Sequence, residues 1–395
     1  MKYIILGAGP AGLSYANRLK KSGETSFLVL EREKDAGGLC RSVNVDNSPL
    51  DRGGGGHFLD VRNKKVNDFL FEFMPKTEWN IFERDSRIKI HNQEISHPLE
   101  ANIWQLDIDT QIRYLKSIAL AGCNCNKEMP KRFVEWIYWK LGECIANDYM
   151  LPYNSKMFGE QLNELGTYWL DKLPNVSFEE TLRSCIQHKA YGKEPGHSKF
   201  YYPRNYGYGE LWRRMADNLG EHILFNHKVF ALDKGVVMTN SGVKFKADKI
   251  ISTIPWDSFK INGMPEQLEC DLKQLKHIGV TIEYIKEDYR TDAHWIYEPS
   301  LEIPYHRILL RKNFCSNSFG YWTETNNSRY LMGPEKIFYV NEYAYPLNTL
   351  HKNQIMQTVL KWARANNIFG LGRWGEHQHY NSDVTVERAL NLMTD

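Results

Sequence analysis

The chain begins with a compact alternation of apolar and glycine-rich blocks. Tyr3-Ile4-Ile5-Leu6 is uniformly apolar, Gly7-Ala8-Gly9-Pro10-Ala11-Gly12 follows at once, and Leu13 to Lys20 has helical spacing. A second apolar run, Phe27-Leu28-Val29-Leu30, ends in Glu31. Strand, glycine turn, helix, strand and terminal carboxylate together predict a dinucleotide-binding βαβ unit. In that unit Gly7 permits the tight turn, Gly9 lets backbone approach a pyrophosphate, and Gly12 lets helix pack on strand. The helix N-terminus presents free N–H groups to phosphate, and Glu31 is placed to accept ribose hydroxyls.

Further along, Val66, Phe69, Leu70 and Phe73 predict a helix over 61–75, whereas 80–97 alternates as strands around Ile81, Ile88, Ile90 and Ile95. From Glu100 to about Cys185 the period is helical. Its clearest stripe is Phe133, Trp136, Ile137, Leu141, Cys144 and Ile145, with Pro152-Tyr153-Asn154 expected to interrupt the region. Leu211–Leu219 reads as a helix. Short strands follow, Ile223–Phe225 paired with Lys228–Leu232, and a hairpin of Val236–Met238 with Val243–Phe245 around Asn240-Ser241-Gly242. Lys249–Ile254 is expected to return to the parallel sheet. Residues 277–345 are rich in β-formers and predict an antiparallel sheet, before a helix over Leu350–Ala365.

The fold class expected is therefore α/β. A Rossmann-type dinucleotide-binding domain (1–75, 200–256 and 366–395) would carry a helical insertion (100–199) and an antiparallel β-sheet substrate domain (76–99 and 257–365). A length of 395 residues suits two or three domains. With 50 basic and 48 acidic residues the net charge is +2, which offers no electrostatic argument for nucleic acid or an anionic membrane surface. No apolar run approaches the ~20 residues of a membrane span, and the N-terminal apolar run reads as a strand, not a cleavable signal. A cytoplasmic location is expected, with the seven cysteines as reduced thiols and no metal site.

A second glycine turn, Asp35-Ala36-Gly37-Gly38-Leu39-Cys40-Arg41-Ser42, lies just past the second strand, and Asp51-Arg52-Gly53-Gly54-Gly55-Gly56-His57 follows. An NAD enzyme has no use for them there. Backbone without side chains can lie flat against a ring system, and the turn resembles one that lies along the FAD pyrophosphate in amine-oxidase-type flavoproteins. That resemblance makes FAD the expected cofactor and the Rossmann-type domain FAD-binding; a mobile surface loop is the other reading of such a run.

These turns resemble those of the amine-oxidase-like flavoproteins, and further segments narrow the resemblance to the UDP-galactopyranose mutases. Pro152-Tyr153-Asn154-Ser155-Lys156 is similar to the PYNxK segment of eukaryotic-type mutases. Tyr202-Pro203 with Gly207-Tyr208-Gly209 matches the wider group. Ala344-Tyr345-Pro346, Gly372-Arg373-Trp374-Gly375 and Tyr380-Asn381-Ser382-Asp383-Val384-Thr385-Val386 resemble the C-terminal mutase signature. The resemblance implies that Arg307, Arg373 and Tyr345 clamp a diphosphate, as two guanidinium forks and a hydroxyl can, with His57 at the flavin or sugar. Surface salt bridges are the bland reading of the arginines, and ordinary core that of Asn154, Phe158 and Tyr297, which otherwise sit at the base. Substrate contacts are further implied at His97, Glu100, Asn313, His379 and Asn381. Flavin contacts are implied at Gly7, Gly9, Gly12, Glu31, Gly38, Leu39, Ser42, Gly55, Gly56, His57, Val229, Gly372, Ser382 and Asp383. The stretch from Ser382 to Val386 would open a helix facing the flavin and favouring its anionic reduced form.

By resemblance, the chemistry is a pyranose/furanose interconversion of a nucleotide sugar. Reduced FAD attacks the anomeric carbon through N5, expels the nucleoside diphosphate, and the sugar recloses in the other ring size. NADPH or NADH would reduce the flavin beforehand, and a homodimer is expected. The chain departs from the pattern at His379, where the family has tyrosine, at Asn381, and at His97-Pro98-Leu99-Glu100, where relatives carry a base-reading glutamine. The carboxylate of Glu100 only accepts hydrogen bonds, which suits the donors on guanine's edge better than uracil. The family's flap arginine has no clear counterpart, Lys172 being merely nearby. Two other functions share these motifs: an FAD-dependent oxidoreductase of the amine-oxidase or protoporphyrinogen-oxidase type, and a non-catalytic flavin- and nucleotide-sugar-binding component of a glycan pathway.

Overall fold

The uniformly apolar run Tyr3–Leu6 is buried on both faces and forms the centre of a five-stranded sheet. Its order is Ile223–Leu224, Phe27–Leu30, Tyr3–Leu6, Lys249–Ser252, Ile368–Gly370, and every pair is parallel. Parallel strands need cover on both sides. Helix Pro10–Lys21 supplies one, with Leu13 and Ala16 packed beside Ile5 and Val29. Helix Lys352–Ala365 serves the other, where Ile355, Met356, Val359 and Ala363 pack with Ile4 and Leu6. The computed structural model describes residues 1–170, 173, 175–191, 198–315 and 317–394. Lys172, the residue nearest the family's flap arginine, lies outside the described residues, as does part of the 100–199 insertion.

A seven-stranded sheet runs Ile337–Pro346, His277–Ile285, Tyr321–Asn326, Arg307–Leu309, Trp295–Tyr297, Ser86–Ile90, Gln93–Ser96. It is antiparallel except where Trp295–Tyr297 runs parallel to Ser86–Ile90. The helical layer contains Ile108–Ala119, Phe133–Ile145, Leu151–Phe158 and Phe178–Gln187, the last opened by a reciprocal Ser177–Glu180 capping box. Among the described residues no helix is long and apolar enough to cross a membrane.

Several expectations need correction. Ile223–Leu224 and Val229–Asp233 do not pair. The first extends the parallel sheet, and the second joins Val236–Thr239, Lys244–Lys246 and Lys260–Ile261 in a four-stranded sheet. Trp79–Glu83, expected in the substrate sheet, pairs instead with Lys199–Pro203. Residues 257–272 and 352–365 were also placed there, yet Phe259, Ile261, Leu268 and Val359 share a core with Ile4 and Leu6. Pro152 does not interrupt the helices. It sits in the first turn of Leu151–Phe158, where a missing N–H is harmless, and a π-turn over Ala146–Met150 leads into it. The bend falls at Gly142 (φ 72°), where an added Cβ would lie 2.4 Å from the Ser117 carbonyl oxygen. Periodicity carries no mark of which short strand pairs with which, or of where a glycine must yield to a neighbouring helix.

Candidate functional site

Backbone builds the first part of the site. Gly7 adopts φ 99°, and a Cβ on Gly12 would lie 2.0 Å from the Gly7 carbonyl oxygen, so helix Pro10–Lys21 can start only on bare backbone. Gly9 is its N-cap, without a side-chain cap. The second glycine turn docks onto the first: Gly37 N–H donates to the Ala8 carbonyl at 2.8 Å, and a Cβ on Gly38 would meet Gly9 Cα at 3.0 Å. Glu31 closes the turn, its carboxylate accepting from the N–H groups of Ala8 (2.7 Å) and Glu33 (3.0 Å). Burial raises the Glu31 pKa while those bonds oppose the rise. Each oxygen keeps a second lone pair for a ribose hydroxyl.

A cleft opens from this turn, lined by Gly7, Gly9, Glu31, Gly38 and Leu39, then by Cys40, Arg52, His57, Val229, Arg373 and Ser382. Its geometry fits FAD: bare backbone at the pyrophosphate position, an acid at the ribose position, and an extended second turn beyond. Other residues expected at the cofactor lie one layer behind the lining. Gly12 accommodates the helix, and Gly372 (φ 76°) lies where a Cβ would meet Ala11 Cβ at 2.6 Å. Ser42 donates to Asp51 (2.9 Å) and accepts from Gly209 N–H (2.8 Å). Asp383 is buried in the first turn of helix Ser382–Asn391, beside Ser382, whose hydroxyl bonds Tyr208 at 2.7 Å. Gly55 and Gly56 turn towards the seven-stranded sheet. His57 is held by Asp51, which accepts from its backbone N–H (2.7 Å) and lies 3.1 Å from Nδ1.

The second part is a polar cluster on that sheet. The register sets Arg307 opposite Glu324. The Arg307 Nη2 donates to Glu324 Oε2 (2.7 Å) and to the Tyr345 hydroxyl (3.0 Å), which in turn donates to Glu324 Oε1 (3.1 Å). Glu324 is fully buried and also accepts from Gly55 N–H at 2.8 Å, tying the cluster to the glycine loop. Burial alone would raise its pKa, but Arg307, His306 and that N–H hold it well below the usual carboxylate range. Burial likewise works against the Arg307 charge, and Glu324 together with the hydroxyls of Tyr345, Tyr153 and Tyr297 more than offsets it, leaving the guanidinium above its ordinary value. Burial, with Glu324 adding, pushes the Tyr345 hydroxyl up to about 12. Arg373 lies with Cζ 5.8 Å from the Tyr345 ring, and the His379 ring is 5.0 Å from the same ring. Arg373 donates to the carbonyls of Tyr380 and Ala344.

Beyond the cluster stands a group of rings. The His97 ring lies 5.1 Å and Tyr153 5.4 Å from Tyr297, whose hydroxyl accepts from Arg84 at 3.0 Å. Burial, aided by Arg84, lowers the His97 pKa to about 3. Asn154 is buried and donates to the Met150 carbonyl at 2.7 Å; Phe158 ends the same helix. Glu100 sits in the first turn of Leu99–Asn102, where burial raises its pKa. Asn381 is the N-cap of Ser382–Asn391. Asn313, expected at the substrate, directs its amide to the carbonyls of Thr291 and Ala293, which holds that loop.

Sequence reasoning passed over Glu324, Asp51, Arg84 and Lys156. Lys156 is fully buried, its ammonium donating to the Glu298 and Ser300 carbonyls at 2.7 Å each, with its pKa lowered to about 8 by burial. It anchors the loop after Trp295–Tyr297 to the helix bearing Tyr153 and Asn154. The one available signal for Glu324 was a charge inside the β-forming run Tyr321–Asn326.

Comparison with known proteins follows this geometry. A family model described as flavin containing amine oxidoreductase matches residues 10–279. A UDP-galactopyranose mutase of Mycoplasma pneumoniae is 22% identical over 404 residues, covering 98% of this chain and 94% of the relative. The crystal structure of a reduced UDP-galactopyranose mutase superposes with a TM-score of 0.88 at 21% identity, covering 98% of this chain and 94% of that one. A fatty acid isomerase from P. acnes gives a TM-score of 0.66 at 14% identity, covering 100% and 98%. The structural likenesses establish the fold.

Proposed function

Because this chain belongs to the flavin containing amine oxidoreductase family, whose fold carries FAD, we propose that it is a flavin-dependent nucleotide-sugar mutase. It interconverts pyranose and furanose forms of a sugar joined to a nucleoside diphosphate, with NADPH or NADH as reductant. The observation carrying this reading is the assembly of Arg307, Tyr345 and Arg373 beside the cleft, a cationic group suited to a pyrophosphate. The whole-length likeness to a UDP-galactopyranose mutase supports it.

When bound and reduced, FAD supplies the nucleophilic nitrogen, N5. The protein's part is to bind, orient and exclude water. Glu324 orients Arg307 and Tyr345 from behind, so the clamp is set before substrate arrives. Arg373 reaches from the turn Gly372–Gly375 to the same tyrosine. A phosphate oxygen exchanges with the main-chain carbonyls Arg373 holds at rest, a gain because the acceptor is then charged. His57, fixed by Asp51, lines the cleft between these groups and the glycine turns. The base lies against Tyr297 and Tyr153. Glu100 there favours a base with adjacent N–H donors, and guanine has two.

A second reading draws on the same contacts. Arg307 already pairs with Glu324, although its Nε is left without a partner, and Arg373 already donates to carbonyls, so both charges are largely engaged without ligand. That favours an FAD-dependent oxidoreductase acting on an uncharged substrate.

One experiment separates the two. The purified protein, reduced with dithionite under nitrogen, is incubated with UDP-galactopyranose and with GDP-sugars, and products are resolved by anion-exchange chromatography. Furanose product formed only by pre-reduced protein is expected. Oxygen consumption driven by an amine or apolar substrate, with no ring interconversion, would overturn the mutase reading.

A further inference from the structure

Arg311 is the one of the three arginines here that no acceptor explains. It is 2% exposed, and its Nε and Nη2 have no hydrogen-bond partner among the described residues. Arg307 has Glu324 at Nη2, though its Nε also lacks a partner, and Arg373 has carbonyl oxygens, whereas the Arg311 guanidinium lies over ring faces, Phe314 at 4.7 Å and Tyr202 at 5.3 Å. Asp51, the buried carboxylate of the neighbouring strand, is engaged by Ser42 and by His57. Ring quadrupoles recover part of the desolvation of a buried cation but not all of it.

The guanidinium lies against the glycine loop. A Cβ on Gly56 would stand 3.0 Å from Nη2 and 3.7 Å from Cζ, so only glycine lets the charge approach the backbone there. The next residue, His57, lines the cleft. A buried positive charge thus stands one backbone layer behind the cleft wall, in surroundings that screen it poorly.

We infer that Arg311 is a positioning residue that tunes the cofactor electrostatically, favouring the reduced, negatively charged flavin over the oxidised, neutral one. The inference rests on the reading that the cleft holds FAD. Reduction by a hydride donor adds two electrons and one proton to the neutral ring, leaving one negative charge. A cation held by fixed dipoles and rings needs no rearrangement to stabilise that charge. Its effect therefore falls on the ratio of the two affinities, not on either alone.

The test is a spectroelectrochemical midpoint potential of the FAD-loaded protein, wild type against R311M and R311K. Wild type is expected to bind reduced FAD more tightly than oxidised FAD, giving a potential above that of free FAD. R311M is expected to lower the preference about tenfold, equivalent to about 30 mV for a two-electron couple. R311K, keeping the charge, should retain most of it. A wild-type potential at or below that of free FAD overturns the inference without any variant, so it stays testable if R311M does not fold. It is also overturned if R311M holds FAD normally with its preference changed less than twofold, which would make Arg311 a core residue only. Wild type purified without flavin, and unable to take it up, defeats the FAD reading itself; a flavin-loaded protein with an unshifted potential defeats this inference alone.

Discussion

The glycine-built cleft and the polar cluster tied to its glycine loop through Gly55 are made in opposite ways. The cleft is local. Its turn, helix start and closing acid lie within Gly7–Glu31, and its shape comes from what is absent, the side chains that would collide at Gly12 and Gly38. The cluster is assembled from distant residues, with Glu324 bonded to Gly55, Arg307 and Tyr345 through sheet register. One region is specified by steric exclusion and the other by charge compensation in a dry interior, so the two should fail differently.

The largest effect should come from G12A. The Cβ would sit 2.0 Å from a main-chain oxygen that has nowhere to move, and the variant is expected to purify colourless, read from absorbance at flavin wavelengths. Flavin retained at wild-type stoichiometry would show that the turn tolerates displacement. E324Q should act on stability first. Removing one partner of a buried ion pair costs about 3–5 kcal/mol, measurable by denaturant unfolding, while the cleft itself stays intact. R373K keeps the charge and loses the fork. Nucleoside diphosphate affinity should fall about 10-fold, as measured by calorimetry, with unchanged flavin content.

Acid should strike next. Burial lowers His97 to about 3, His294 to about 4 and His377 to about 3. Each is neutral in the fold and takes a proton more readily unfolded, so the stability they share is complete above pH 6.5, the ordinary histidine value. It is lost as pH falls towards their folded values, by about 1.4 kcal/mol per group per pH unit. Thermal melts between pH 7 and pH 5 should show the decline, and H97N should flatten it. The smallest effect is N313A, about 1 kcal/mol from its lost amide bonds. Unchanged affinity for nucleotide sugars would separate its loop-holding role from the substrate contact that the resemblance implies.

Legibility followed the same division. The nucleotide turn, its acid and the helix Phe133–Ile145 could be read because each rests on spacing within a few turns of chain. Arg307, Tyr345 and Arg373 could be nominated only through resemblance, and Glu324 was not nominated at all. A glutamate among threonines on a strand looks like a solvent-facing position until the sheet register sets it opposite an arginine.

From its own residues the chain determines a parallel sheet with a phosphate-ready glycine turn, a helical layer and a β-rich half, because apolar period and glycine placement act over short range. Only the tertiary structure decided that Ile223–Leu224 joins the parallel sheet, that Trp79–Glu83 leaves the large one, and that Arg307 meets Glu324 while Arg311 lies over rings. Those outcomes depend on pairing and desolvation between segments far apart in sequence, and no local pattern encodes which buried charge will find its partner.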